Sequence, residues 1–455
     1  MSEGHVCCDG TGLCKVAPHP ALQKKMKAQI AKMRRGVGRS AMADMITMRR
    51  EKPVGMDDGT IYPGDTFPLG TSADRVRGAA LERAPLSGAV RVIVVLVDFS
   101  DKAMAKTQAQ FKDLFFSLGT IPTGSVREYY REVSNNKIDI VGDVVGPLRM
   151  PRKLKDYAHG ASGLGNVAPN ARTMARDAAV AANPLVNFGI FDNDGDGFVD
   201  AFIVIHAGKG GEVTGSSDDI WSHKWLLSGG ALPADGKQIF AYLTVPEDSK
   251  IGVCCHELGH LLFGWPDLYD TDNSSAGVGN WCLMGGGSWN GGGDTPAHPL
   301  AWCKATQGWI TVINQTANAT VKVADVKTGL TAYRLWNNGA GGNEYFLLEN
   351  RQRTKFDAGL PGDGIVICHI DDAIAGNSNE AHPKIAVLQA DGLKQLERGV
   401  NRGDGGDPYP GTAANKTFNK TSTPNSLSYA GVDTKVAATG IGASSASISV
   451  KLAVK

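Results

Sequence analysis

The stretch IGVCCHELGHLLF, Ile251–Phe263, decides how this chain is read. It is an apolar, helix-compatible run, with Val253, Leu258, Leu261, Leu262 and Phe263 giving it the character of a core helix. Inside it stand His256, Glu257 and His260. Two histidines four residues apart share one helix face, so both imidazoles reach a single metal ion. Glu257, next to the first histidine, is placed to take a proton from a metal-bound water. A surface helix with two solvated histidines is the plainer alternative. The hydrophobic surroundings argue against it, because burying these three polar side chains is costly without a partner such as a metal.

Working outward, Gly264 can close the helix in the left-handed conformation, and Pro266 prevents it from resuming. The chain then turns back with Asp267. A catalytic zinc takes three protein ligands and keeps one position open for water, and His256, His260 and Asp267 would supply the three. The plainer reading of Asp267 is a turn carboxylate capping the next segment. Asp270 is the substitute ligand. Further on, Leu283-Met284-Gly285-Gly286-Gly287 is similar to a Met-turn, with Met284 as an apolar floor beneath the histidines rather than a ligand. An ordinary core methionine would sit in the same packed environment.

These residues resemble the immune inhibitor A family of metalloproteases, a metzincin-like group. The likeness includes Ser125–Tyr130, His206–Glu212, Asp219–His223, the zinc helix through Asp270, Leu283–Gly285, Trp302–Lys304, Gly308-Trp309 and Leu348–Arg351. It implies a zinc endopeptidase acting on proteins or peptides, and it implies export. The chain departs from the family pattern H-E-x-x-H-x-x-G-x-x-D at one point. Phe263 occupies the glycine position, and Gly264 and Asp267 each come one residue late. One extra residue advances a helix by about 100°, so the third ligand must be delivered by an adjusted turn.

A second metal candidate is FDNDGDGFVD, Phe191–Asp200. Asp192, Asp194, Asp196 and Asp200 fall at alternating positions of a calcium loop, with Gly197 at the bend and the Phe198 carbonyl as a further ligand. Position twelve is Ile203, not the bidentate glutamate of an EF-hand, so the expected calcium loop is a shortened, structural one. The alternative is an acidic solvated turn, although four like charges so close together repel without a cation.

Composition sets outer limits. At 455 residues, two or three domains are expected. A hydrophobic share of 42% fits a globular protein, and a net charge of +1 gives no strong pull toward nucleic acid or anionic membrane. The aliphatic run Val92–Val97 is too short to span a bilayer and reads as a buried strand. The chain's start shows no apolar leader of the kind that export by the general route uses. The cysteines are Cys7, Cys8, Cys14, Cys254, Cys255, Cys282, Cys303 and Cys368. Cys282 and Cys303 are candidates to pair with each other or with Cys254 or Cys255, and a second zinc site from cysteines lacks the usual paired spacing.

The expected organisation is α+β and multidomain. Residues 1–85 form a lead segment. Within it Leu22, Met26, Ile30 and Met33 mark one face of a basic helix, read as a propeptide or packing helix in preference to a membrane-binding one. Cys7, Cys8 and Cys14 are candidates to block the zinc. Residues 86–310 form a zincin-like catalytic domain with a mixed twisted sheet. Its predicted elements are strands at Val90–Phe99, Phe202–His206 and Phe240–Val245, and helices at Ala171–Ala182 and Ile251–Phe263. Residues 311–455 form a β-sandwich, with strands at Thr320–Val326, Tyr345–Leu348, Gly364–Ile370, Ile385–Gln389 and Ala446–Val454. Asp404 and Asp407 lie in Gly403-Asp404-Gly405-Gly406-Asp407, a candidate cation loop, although such stretches are more often plain turns. The competing functional reading is a non-enzymatic binding protein on the same scaffold with a structural metal. A hydrolase of another amide substrate would share the zinc chemistry. His223 and Tyr269 are candidates to stabilise the oxyanion.

Overall fold

The computed structural model describes residues 16–36, 56–61, 75, 79 and 84–455. The chain mixes helices with several β-sheets and divides into two compact units. One is built from the described residues between Val16 and Arg131 and from Asn136–Pro266, the other from Glu132–Asn135 and Asp267–Lys455.

The first unit is organised by β1 (Gly88–Asp98), whose residues Val92–Val97 are all buried. A strand covered on both faces shows no alternation, so it appears in sequence as a continuous apolar run. It lies between β2 (Ile138–Arg149) and β3 (Phe202–His206), parallel to both. Beyond β3 come β4 (His223–Leu226) and β5 (Ala241–Pro246), in the order β2-β1-β3-β5-β4. β5 is parallel to β3, and the edge strand β4 runs antiparallel to β5. The helices cover the sheet. α2 (Gln108–Phe116) packs on β2, α3 (Ala171–Ala182) on β2 and β1, and α4 (Ile251–Phe263) on β5 and β4. The side chain of Asn170 caps α3 by accepting the Thr173 amide at 3.2 Å.

The lead segment contributes helix α1, Pro20–Gly36. Leu22 and Met26 on its predicted apolar face are half-buried, while Lys24 and Lys25 are exposed. Leu22 reaches Gly215: its Cδ1 would stand 2.9 Å from a Cβ placed there. The indole of Trp221 donates to the Val16 carbonyl at 3.0 Å, fixing the chain just before this helix. The side chains of Ile30 and Met33, and all of Cys7, Cys8 and Cys14, lie outside the described residues.

The second unit contains two larger sheets. The strands in chain order are β6 (Thr311–Gln315), β7 (Ala319–Ala324), β8 (Thr331–Leu335), β9 (Glu344–Arg351), β10 (Gly364–Asp371), β11 (Ile385–Val387), β12 (Thr417–Phe418), β13 (Ala437–Thr439) and β14 (Ser447–Ala453). One sheet has the order β11-β10-β9-β8-β6, the other β12-β13-β14-β7. Leu335, Phe346 and Ile367 from the first sheet join Val323, Phe418 and Val450 from the second in one buried apolar cluster. The predicted strand Thr320–Val326 stops at Ala324, because the Asp325 carboxylate accepts the Lys327 amide at 3.1 Å and starts a helical turn, Val326–Gly329. Among the described residues, no helix is long and apolar enough to cross a membrane.

Candidate metal centre

Every residue of α4 is buried, and His256, Glu257 and His260 show no exposure at all. The hydroxyl of Tyr130 donates to the Cys255 carbonyl at 2.6 Å, and its ring lies 5.2 Å from that of Phe263, so Tyr130 anchors α4 at two points flanking the histidines. The helix ends at Gly264, at φ 66° and ψ 19°, whose amide donates to the carbonyls of Gly259 and His260. A residue with a Cβ is strained in that conformation. The extra residue noted in the sequence is therefore absorbed by the helix itself. Phe263 stays inside the last turn, and the closing glycine simply follows one step later.

That ending also sets a proton. The Trp265 carbonyl lies 2.5 Å from His260 Nδ1. A carbonyl only accepts, so Nδ1 carries the hydrogen and Nε2 presents its lone pair. This Nε2 faces His256 Nε2 at 3.1 Å, with the two rings nearly perpendicular. Two nitrogens bound tetrahedrally to one zinc at about 2.0–2.1 Å stand about 3.3 Å apart, so the pair has the spacing of a chelate. Asp267, the first residue of the long stretch of the second unit, is buried as well. Asp270 belongs to a different cluster, with Asp272 and Glu380.

One member of this neighbourhood gives no signal in the sequence. Asp57, in the short stretch Met56–Ile61 of the lead segment, places a carboxylate oxygen within 4.8 Å of ligand atoms of both Glu257 and His260. The stretch is buried along its whole length. The Asp57 carboxylate accepts the Lys224 amide of β4 at 2.8 Å, and its own amide returns a bond to the Lys224 carbonyl at 3.1 Å. Gly59, at φ 76°, lies so close to the end of α4 that a Cβ there would overlap the Gly264 carbonyl.

Residues 86–310 match the family model for the catalytic domain of immune inhibitor A, peptidase M6. Immune inhibitor A of Bacillus thuringiensis subsp. alesti is 36% identical over 204 residues, covering 37% of this chain and 30% of that protein. The pre-pro-metalloprotease PrtV of Vibrio cholerae serotype O1, strain M66-2, is 30% identical over 268 residues, covering 47% of this chain and 29% of that protein. The chain spans about three tenths of the length of the curated relatives it matches.

Several stretches that carry the resemblance to this peptidase family prove to be scaffold. Glu212 accepts both the amide and the hydroxyl of Ser222, at 3.0 and 2.7 Å. Burial, partly offset by those bonds, pushes its carboxyl up to about 7. His223 engages the Trp221 carbonyl at 2.6 Å and the Tyr242 hydroxyl at 2.8 Å, and burial lowers its pKa to about 4. With both ring nitrogens occupied it braces β4 against β5. Met284 is buried in the second unit, where its carbonyl accepts the Leu268 amide at 2.8 Å, one residue past Asp267. Tyr269 is buried as well. Cys254, Cys255, Cys282, Cys303 and Cys368 are all buried, and none of the contemplated disulfides is formed among them.

In the acidic loop, Asp192, Asp194 and Asp200 bring ligand atoms within 4.8 Å of one another, while Asp196 stands outside that group. Much of the loop's carboxylate capacity is engaged internally. Asp192 accepts the amides of Gly195 and Gly197 and pairs with Lys237 at 2.7 Å. Asp200 accepts the Asn193 amide at 2.5 Å, and Asp196 accepts the Phe198 amide at 2.8 Å.

Proposed function

We propose that this chain is a zinc-dependent endopeptidase with a zincin-like catalytic domain at residues 86–310 and a C-terminal β-sandwich at 311–455. The observation that carries the reading is the pair of buried imidazole nitrogens, 3.1 Å apart on α4, with His260 fixed in the tautomer that offers Nε2. His256, His260 and Asp267 would hold the metal, and Met284 would line the site as an apolar floor. Bound zinc supplies Lewis acidity, making water easier to deprotonate and a peptide carbonyl easier to attack. Glu257 accepts the proton from the attacking water and returns it to the leaving amine. Its position next to a ligand on the same helix keeps that proton transfer local. Proteins or peptides are the proposed substrates, and export is part of the proposal. The test is cleavage of casein by the purified protein with bound zinc quantified. A protein that binds zinc with the lead segment removed, yet cleaves nothing, would favour the binding-scaffold reading.

The lead segment is proposed to restrain this activity through Asp57, whose carboxylate shares the space of Glu257 and His260. Asp57→Ala is expected to cleave casein faster than the wild-type full chain and to approach the rate of a chain beginning at residue 86. Equal rates for wild type, Asp57→Ala and the shortened chain would remove this role.

Calcium is proposed at Asp192, Asp194 and Asp200, with Asp196 and the Phe198 carbonyl as further donors if the loop closes on an ion. A divalent ion would compete with the Lys237 ammonium for Asp192. Added calcium is therefore expected to raise the melting temperature of the wild type more than that of Asp194→Asn. An equal rise in both would place the stabilising ion elsewhere.

A further inference from the structure

The glycine-rich turn between Asn401 and Pro410 in the second unit brings a separate set of carboxylates together. Asp391, Asp404 and Asp407 each offer an oxygen within 4.8 Å of the others. Clustering alone decides nothing, since acidic groups gather without ions. The hydrogen bonding is more informative. Asp407 is 1% exposed; its Oδ2 accepts the Trp281 indole at 2.8 Å and the Asp404 amide at 3.0 Å. Its Oδ1 is buried and has no hydrogen-bond partner. A buried carboxylate oxygen left without a donor carries an uncompensated desolvation cost.

The neighbours do not relieve it. Asp404 Oδ1 accepts the Gly406 amide at 2.7 Å and Oδ2 the Asn401 side-chain amide at 2.7 Å, while Asp391 Oδ1 accepts the Leu393 amide at 2.9 Å. A Cβ on Gly406 would overlap Asp391 Oδ2 and stand 3.0 Å from Asp404 Oδ1, so these oxygens converge on the bare face of a glycine. Among the described residues no lysine or arginine pairs with any of the three. Arg402, two positions before Asp404, instead donates to the Gly286 carbonyl at 2.8 Å. Burial first, and then the charges of Asp404 and Asp391, push the Asp407 carboxyl up to about 7, against the pull of its hydrogen bonds.

We propose that Asp391, Asp404 and Asp407 form a binding site for a hard divalent cation of the calcium class, separate from the zinc helix and from the Asp192 loop. Calcium takes six to eight oxygens at about 2.3–2.6 Å, so two oxygens on opposite sides of the ion stand about 4.6–5.2 Å apart. One ion can span this set and would satisfy Asp407 Oδ1. Its structural consequence runs through Trp281, which is bonded to Asp407 and lies three residues before Met284. The cation would lock the 391–407 loops onto the segment that carries the methionine.

The test is a calorimetric titration of the full-length, zinc-loaded chain with calcium chloride, using wild type, Asp391→Asn, Asp404→Asn and Asp192→Asn. Asp391→Asn and Asp404→Asn are each expected to lose the same single calcium equivalent, which Asp192→Asn retains. Melting curves separate ligation from an ordinary hydrogen-bonding role. In chelator, Asp391→Asn is expected to melt at or above the wild-type temperature, because one like charge has been removed. With calcium, the wild type rises and the variant does not. Calcium stoichiometry unchanged in both Asn variants, or an equal loss of melting temperature with and without calcium, overturns the proposal.

Discussion

Glu257→Gln is expected to lose about 10²–10⁴-fold in the rate of peptide-bond cleavage, the usual contribution of a positioned proton acceptor, while keeping its zinc. Glutamine preserves the shape and burial of the side chain, so α4 has no packing reason to rearrange. What disappears is the carboxylate that takes a proton at that point. Because Glu257 is fully buried on a helix that is itself entirely buried, bulk water is a poor substitute for it. His256→Ala provides the contrast. It removes one of two nitrogens that face each other at 3.1 Å, and zinc and activity should fall together. The measurement is casein kcat/KM alongside zinc per chain for both variants. Near wild-type cleavage by Glu257→Gln would sink the assigned role and leave another carboxylate to carry the proton, with Asp57 the first to examine.

The parts of this fold that were legible in sequence share a local cause. α4 could be bounded at both ends because an apolar run meets Gly264 and Pro266, and the structure gives the same limits, Ile251–Phe263. β1 was legible as an unbroken aliphatic run because it is buried on both faces. β6 and β8 were not, since their parallel pairing is set by distant chain and their burial alternates only weakly. Asp57 was illegible for a related reason. Nothing in the turn Asp57-Asp58-Gly59 announces that Gly59 will abut the Gly264 carbonyl and bring a carboxylate to Glu257. The one-residue shift of Gly264 looked in sequence like a threat to the third ligand. The longer helix takes up the extra residue and closes at Gly264. Glu212, in one of the recognisable stretches, carries the converse lesson. It accepts the backbone amide and the hydroxyl of Ser222, so residue type and family likeness alone do not separate scaffold from chemistry.

Asp357→Asn is expected to cost about 3–5 kcal/mol of unfolding free energy, the range for breaking a buried ion pair by removing one partner. Asp357 and Arg351 are both fully buried and meet through two parallel bonds, at 3.0 and 2.7 Å. Asp357 also accepts the His298 amide at 2.9 Å, while Arg351 donates onward to the Trp281 carbonyl at 3.1 Å. Burial alone would raise the Asp357 carboxyl. The attraction of Arg351 and its hydrogen bonds outweighs that and holds it well below the usual carboxylate range. Asparagine keeps part of the hydrogen bonding but leaves the buried Arg351 charge with only Glu349, at 3.6 Å, as a counter-charge. The sign of the pH dependence follows from a depressed folded-state pKa. The stabilisation is fully present above the unfolded carboxylate value of about 3.9 and fades as pH falls below it toward the folded value. The wild-type advantage should therefore be constant between about pH 5 and 8 and shrink in acid. Urea unfolding of both proteins at neutral and acidic pH measures it. Because Arg351 anchors Trp281, ahead of Met284, the variant should also cleave casein more slowly at temperatures where it is still folded. A midpoint equal to wild type at neutral pH would mean that the pair contributes no net stability.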